Sequence, residues 1–131
     1  MKSYDVIIIG GGPAGTSAAL LLAKKGYQVA LLEQARFPRD KVCGEFISPA
    51  ADAIFSELGV LEAIESLDPL RLKGVVVSAY EQSVFQADYP PASEAGRQMT
   101  SLSVERMVLD NLMLGRVRQS QVEVKEGFKV T

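Results

Sequence analysis

Apolar residues change their spacing several times along the chain, and each change marks an element. Tyr4, Val6, Ile7, Ile8 and Ile9 form a short run rich in β-branched side chains, which predicts a strand buried on both faces of a parallel sheet. Residues from Ala14 to Lys25 read as a helix that Gly26 stops. A second apolar run, Val29 to Leu32, closes on an acid, Glu33. From Gln34 to Glu45 there is neither helical nor alternating period, only cations mixed with Pro38 and Gly44, so this stretch is predicted to be a loop. Ser48 and Pro49 are helix-start signals, and Ala51, Ile54, Phe55 and Leu58 recur at helical spacing until Gly59. Val60 to Leu67 reads as a short apolar turn ending near Asp68-Pro69.

Further on, Leu72 to Tyr80 and Val84 to Tyr89 are strand-like around Glu81-Gln82-Ser83. In the second, Phe85, Ala87 and Tyr89 alternate with Gln86 and Asp88, so a β-hairpin is expected, ended by Pro90-Pro91. The small polar residues from Ala92 to Gln98 predict a loop, and the whole excursion covers about 70–100. Ser103 is expected to cap a helix over 104–117 with Val108, Leu109, Leu112 and Met113 on its buried face. Val122 and Val124, then Phe128 and Val130, alternate around Gly127 and predict a strand, a bend and a further strand. Laid parallel beside the Val29–Leu32 strand, the first of these gives the order three, two, one. The fold class is therefore α/β: a Rossmann-like half-domain with a three-stranded parallel sheet, helices and an inserted hairpin.

Chemistry concentrates where the first strand ends. Gly10, Gly11, Gly12, Pro13, Ala14 and Gly15 contain the spacing G-x-G-x-x-G between a strand and a helix, the context that separates this motif from chance. Gly10 permits the tight turn, Gly12 leaves the backbone bare where a pyrophosphate approaches, and Gly15 lets the helix pack close to the sheet. Pro13 suits the first helical turn, since the N–H it lacks has no helical partner. The free amides and positive dipole end of the helix then face the phosphates. Glu33, about twenty residues beyond the glycines, is placed to accept from both adenosine ribose hydroxyls and would repel a 2′-phosphate; FAD or NAD is expected rather than NADP.

Composition narrows the rest. The 131 residues match about one domain. Lys+Arg 14 against Asp+Glu 16 gives a net charge of −2, and without a basic block nothing points to nucleic acid. The Ile7–Ile9 run is too short to cross a bilayer, so no integral membrane segment is expected. The single Cys43 forms no internal disulfide, which suits a reducing cytoplasm. With no histidine and one cysteine, no metal site is predicted.

The stretch Phe37-Pro38-Arg39-Asp40-Lys41-Val42-Cys43-Gly44-Glu45 after the glycine unit, with Arg106 and Asp110 further on, carries a resemblance. It resembles the amino terminus of flavoproteins that include geranylgeranyl reductases, flavin-dependent halogenases and FAD monooxygenases. That resemblance implies FAD as cofactor, with NAD(P)H left open as a transient electron donor, and a small or isoprenoid-like organic substrate. It adds Gln34, Lys41, Cys43, Gly44, Arg106 and the backbone of Val130, at the adenine edge, to the cofactor-binding candidates Gly10, Gly12, Pro13, Ala14, Gly15 and Glu33. Arg106 also stands out physically: in a first helical turn a cation opposes the dipole unless an anion compensates it, the alternative being an exposed ion pair with Asp110. Cys43 is either a redox thiol with lowered pKa or a compact residue that lets the loop pass close to flavin. No catalytic residue is assigned.

Proteins of that kind are about two to three times as long, as two-domain enzymes are. Residues 1–131 are therefore expected to be the amino-terminal part of an FAD-binding domain, with its carboxy-terminal part and substrate domain absent. On its own it should be catalytically silent, bind FAD weakly and self-associate through uncovered apolar surface. An NAD-binding dehydrogenase domain and a non-catalytic dinucleotide-binding module remain alternatives; the first leaves Arg39 to Glu45, the hairpin and Arg106 without a role.

Overall fold

A computed structural model describes residues 2–80, 82–91 and 98–131. Strand β1 (Val6–Ile9) enters helix α1 (Pro13–Lys24), which returns the chain to β2 (Val29–Glu33). Gly26, at φ +88, takes the left-handed turn after α1 that a branched residue would resist. After a long loop come β3 (Phe46–Ile47), α2 (Ala51–Leu58), α3 (Leu61–Glu65) and β4 (Leu70–Leu72). The chain ends through β5 (Gly74–Ala79), β6 (Gln82–Asp88), β7 (Ser101–Ser103), α4 (Arg106–Arg118) and β8 (Glu123–Glu126).

The predicted parallel sheet forms, with order β1-β2-β8. Ile8 pairs with Leu31 and Leu31 with Val124, so these three share one face. That face packs on α1 and α4 through Ala19, Leu20, Leu109, Met113, Leu114 and Val117, which form the core with Leu31. On the opposite face β1 is uncovered, Ile7 and Ile9 being 58% and 67% exposed, although Ala30 beside Ile7 is buried. The strand expected to be buried on both faces is half-buried on one, through Val6 and Ile8, and exposed on the other, because α1 packs against the first.

The hairpin also forms, as β5 paired antiparallel with β6. It begins later than the pattern suggested, because Leu70–Leu72 belongs to a separate antiparallel sheet of order β3-β7-β4. The turn residue Glu81 and residues 92–97 of the loop predicted over Ala92 to Gln98 lie outside the described residues; Gln98 itself bridges antiparallel to Pro91.

Other expectations are corrected. Ser103 is a strand residue opposite Phe46 and Leu70, not a cap. Helix α4 begins at Arg106, with Glu105 in the capping position and no side-chain cap. Its buried face is Leu109, Asp110, Met113, Leu114 and Val117, leaving Val108 and Leu112 half-buried, because the later start is accompanied by a rotated stripe. Ile54 points outward from α2 while Phe55 and Leu58 are buried. Phe128 to Val130 forms no further strand; after Gly127, at φ +71, only the Phe128 N–H reaches across, donating to the Glu33 carbonyl at 2.9 Å.

Candidate functional site

The carboxyl ends of β1 and β2 set the site. Gly10 turns at φ +105 while its N–H still donates to the Leu32 carbonyl at 2.8 Å, holding the turn to the sheet. Gly12 sits in the capping position of α1, Pro13 opens the helix, and no side chain caps it. Gly15 touches the turn itself: a Cβ there would overlap the Gly10 carbonyl oxygen and stand 3.4 Å from Ile8 Cγ2. Thr16, fully buried, donates its hydroxyl to the Gly12 carbonyl at 2.9 Å and tightens the first turn. Helix α1 therefore presents amides and the positive end of its dipole, with no acidic residue in its first turn to offset them.

Glu33 is buried at the end of β2. One carboxylate oxygen accepts from the Gly11 N–H at 2.6 Å and the other from the Ala35 N–H at 2.8 Å. Each oxygen keeps a second lone pair, so the group both locks the glycine turn and still offers acceptors. Those acceptors border a recess of about 220 Å³ lined by Ile9, Gly10, Leu32, Glu33, Gln34, Phe128 and Val130. Gln34 and Val130, named from the sequence, thus lie with Glu33.

Arg106 and Arg39 close the other side. A Cβ on Gly12 would stand 3.7 Å from Arg106 Nη2 and 3.8 Å from Arg39 Nη2, so two guanidinium groups face the bare backbone. Both are held by Asp110, which is fully buried. Arg106 donates to it through Nε at 2.8 Å and Nη2 at 3.1 Å, and these hydrogen bonds raise the Arg106 pKa above its ordinary value. Arg39 Nη1 lies 3.1 Å from Asp110 Oδ2 but out of line for a hydrogen bond, so this buried nitrogen has a charged neighbour and no acceptor. The Arg39 guanidinium also stacks 4.6 Å above the Phe37 ring. Two cations and one anion leave a positive surplus beside a helix amino end, an arrangement that an incoming anion relieves.

Cys43 is exposed. The Glu45 backbone N–H, then the Arg106 guanidinium, lower its thiol pKa below the ordinary value. Lys41 and Gly44 stand exposed on the same loop, and a Cβ on Gly44 would meet nothing; the structure brings neither against the turn. Sequence reasoning quoted Arg39 and Asp110 within the motifs but left both out of the cofactor-binding candidates, and did not see the Gly11 tie to Glu33. The available signal was Asp110 itself, an acid within the stripe Leu109, Met113 and Val117.

A parallel sheet whose first turn leaves a helix amino end bare, with a strand-end carboxylate on one side and two arginines on the other, is a dinucleotide-binding unit. The chain belongs to the FAD binding domain family, whose model matches residues 3–131, and its cofactor is FAD. It is 31% identical over 136 residues to tryptophan 2-halogenase of Chondromyces crocatus, covering 99% of this chain and 24% of that protein. Against menaquinone reductase of Mycolicibacterium smegmatis it is 32% identical over 126 residues, covering 96% of this chain and 29% of that protein. The crystal structure of CmlS, a flavin-dependent halogenase, superposes with a TM-score of 0.86 at 31% identity, covering 100% of this chain and 24% of that one. The chain thus spans about a quarter of its relatives' length, a smaller share than the expected two- to threefold ratio of about one domain to two. No helix among the described residues is long and apolar enough to cross a membrane.

Proposed function

We propose that this chain is the portion of a flavin-dependent oxidoreductase that binds the adenosine diphosphate half of FAD, with the glycine turn, Glu33 and the arginine pair as its contacts. The observation that carries this reading is the pair of guanidinium groups facing Gly12 at the uncapped end of α1. The cofactor's diphosphate would lie over Gly12, Pro13, Ala14 and Gly15, where backbone amides and both arginines converge. Glu33 would accept from the ribose hydroxyls, and the recess beside Gln34, Phe128 and the Val130 backbone would take adenine. Cys43, Gly44 and Lys41 would border the flavin side of the loop.

The isoalloxazine ring would supply the electron transfer, and the residues described here would hold the cofactor by its adenosine diphosphate half. The relatives named as a halogenase and a reductase support an enzyme acting on a small organic molecule in the whole protein. The whole protein would be of reductase, monooxygenase or halogenase type, geranylgeranyl reductase-like if its substrate is isoprenoid-like, with NAD(P)H as a transient electron donor. Residues 1–131 would then be the amino-terminal part of the cofactor domain, and the lone Cys43 fits a cytoplasmic setting.

Exchanging Arg106 for Met keeps much of the stem and removes the charge. In a fluorescence titration the variant is expected to bind FAD at least about tenfold more weakly at low salt, a loss set by one charge-assisted hydrogen bond. Equal affinity at low and high salt would make Arg106 an ion-pair partner alone.

A further inference from the structure

Asp110 is placed unlike the other acids of the site. Its carboxylate is fully buried on α4, 0% exposed, and takes up two arginines from different segments, Arg106 on its own helix and Arg39 from the loop after β2. An isolated buried carboxylate is strongly unfavourable, so the group persists by pairing. The pairing is directional. Arg106 spends Nε and Nη2 on Asp110, and Arg39 turns Nη1 towards it, while the Nη2 atoms of both remain within 4 Å of a Cβ position at Gly12. The loop contributing Arg39 has no regular secondary structure between β2 and β3, and the other hold on that guanidinium is the Phe37 ring.

We propose that Asp110 is a positioning residue for the diphosphate site: it fixes the Arg39 and Arg106 guanidinium groups over Gly12, and does so without touching the ligand. This rests on the reading of the site given above. A negative charge close to a phosphate site weakens anion binding by Coulomb's law, so removing it should strengthen binding if the charge alone mattered. If positioning dominates, removing it weakens binding although the site gains one positive charge. The two effects have opposite sign.

The test is titration of wild type and Asp110→Asn with FAD and separately with ADP, at low and high salt, beside thermal melting. Positioning is expected to weaken both ligands about tenfold or more, the scale of one misdirected charge-assisted hydrogen bond. Where Asp110→Asn alone does not hold its fold, the comparison is made against Arg39→Met. The double variant Arg39→Met with Asp110→Asn carries the same cluster charge as wild type and one positive charge more than Arg39→Met, yet should bind more weakly than Arg39→Met. Equal or tighter binding in either comparison overturns the positioning role while leaving the site reading intact. Wild type binding neither FAD nor ADP overturns the site reading, and this inference with it.

Discussion

Glu33 joins two functions in one carboxylate. It accepts the Gly11 and Ala35 N–H groups at 2.6 and 2.8 Å and borders the recess proposed for adenosine. Replacement by Ala leaves two amides without their acceptor, so Glu33→Ala is predicted to lose about 1–3 kcal/mol of stability as well as FAD retention. Denaturant unfolding together with cofactor content after dialysis measures both, and a variant that keeps its FAD removes Glu33 from the site. Cys43 offers a second reading at this scale. Its thiol pKa is lowered by the Glu45 amide and by Arg106, so the reactive thiolate persists to lower pH than in a free cysteine. The pH profile of iodoacetamide alkylation should therefore be shifted downward, and Arg106→Met should move it back up. A profile that Arg106→Met leaves unchanged would dissociate the two residues. Cys43 is also small and exposed, compatible with a loop passing close to flavin; a lowered pKa and compactness are independent properties, and neither assigns it a redox step.

Two glycines one turn apart do different work at the junction of β1 and α1. A side chain at Gly15 collides with the Gly10 backbone and presses on Ile8, so the helix must move away from the sheet. At Gly12 a Cβ meets only arginine ends at ordinary contact distance. Gly15→Ala should consequently destabilise the fold by about 1–3 kcal/mol or more, as overpacking does. Gly12→Val should melt near wild type yet lose dinucleotide binding, since its methyl groups fill the space between Gly12 and the arginines. A thermal melt beside a FAD titration separates them, and matching behaviour of the two variants would contradict the assignment. The turn was legible because strand, glycines, helix and acid fall in one short segment, each with its own local signal. The hairpin was legible from alternation. Strands β3, β4 and β7 were not, since two or three residues have no measurable period and form only when distant segments meet. Ser103 shows the same limit: a serine before a helical stripe reads as a cap, but cross-strand pairing with Phe46 and Leu70 claimed it. Arg39 belongs to a loop whose path no periodicity predicts, so its meeting with Asp110 is a product of tertiary structure alone.

Across the molecule, the Ile7 and Ile9 side of β1 and much of the hairpin stay open. Ile7, Ile9, Val76 and Phe85 are all more than half exposed, large apolar side chains of the kind that a second copy can cover. Self-association of this 131-residue chain is predicted, seen by light scattering as a mass that grows with concentration, and Ile9→Lys should reduce it. A strictly monomeric chain would show that this surface is tolerated in water. The proposed adenosine diphosphate half of the site would nevertheless be formed within these residues, from the turn, Glu33 and the Asp110-held arginines, and its selectivity would follow from a buried carboxylate at the ribose position. The direct test is competition. FAD bound to the chain and followed by flavin fluorescence should be displaced by ADP, and not by ADP carrying a 2′-phosphate, which Glu33 repels. Displacement by the 2′-phosphorylated nucleotide as readily as by ADP, or by neither, would contradict the assignment of this site.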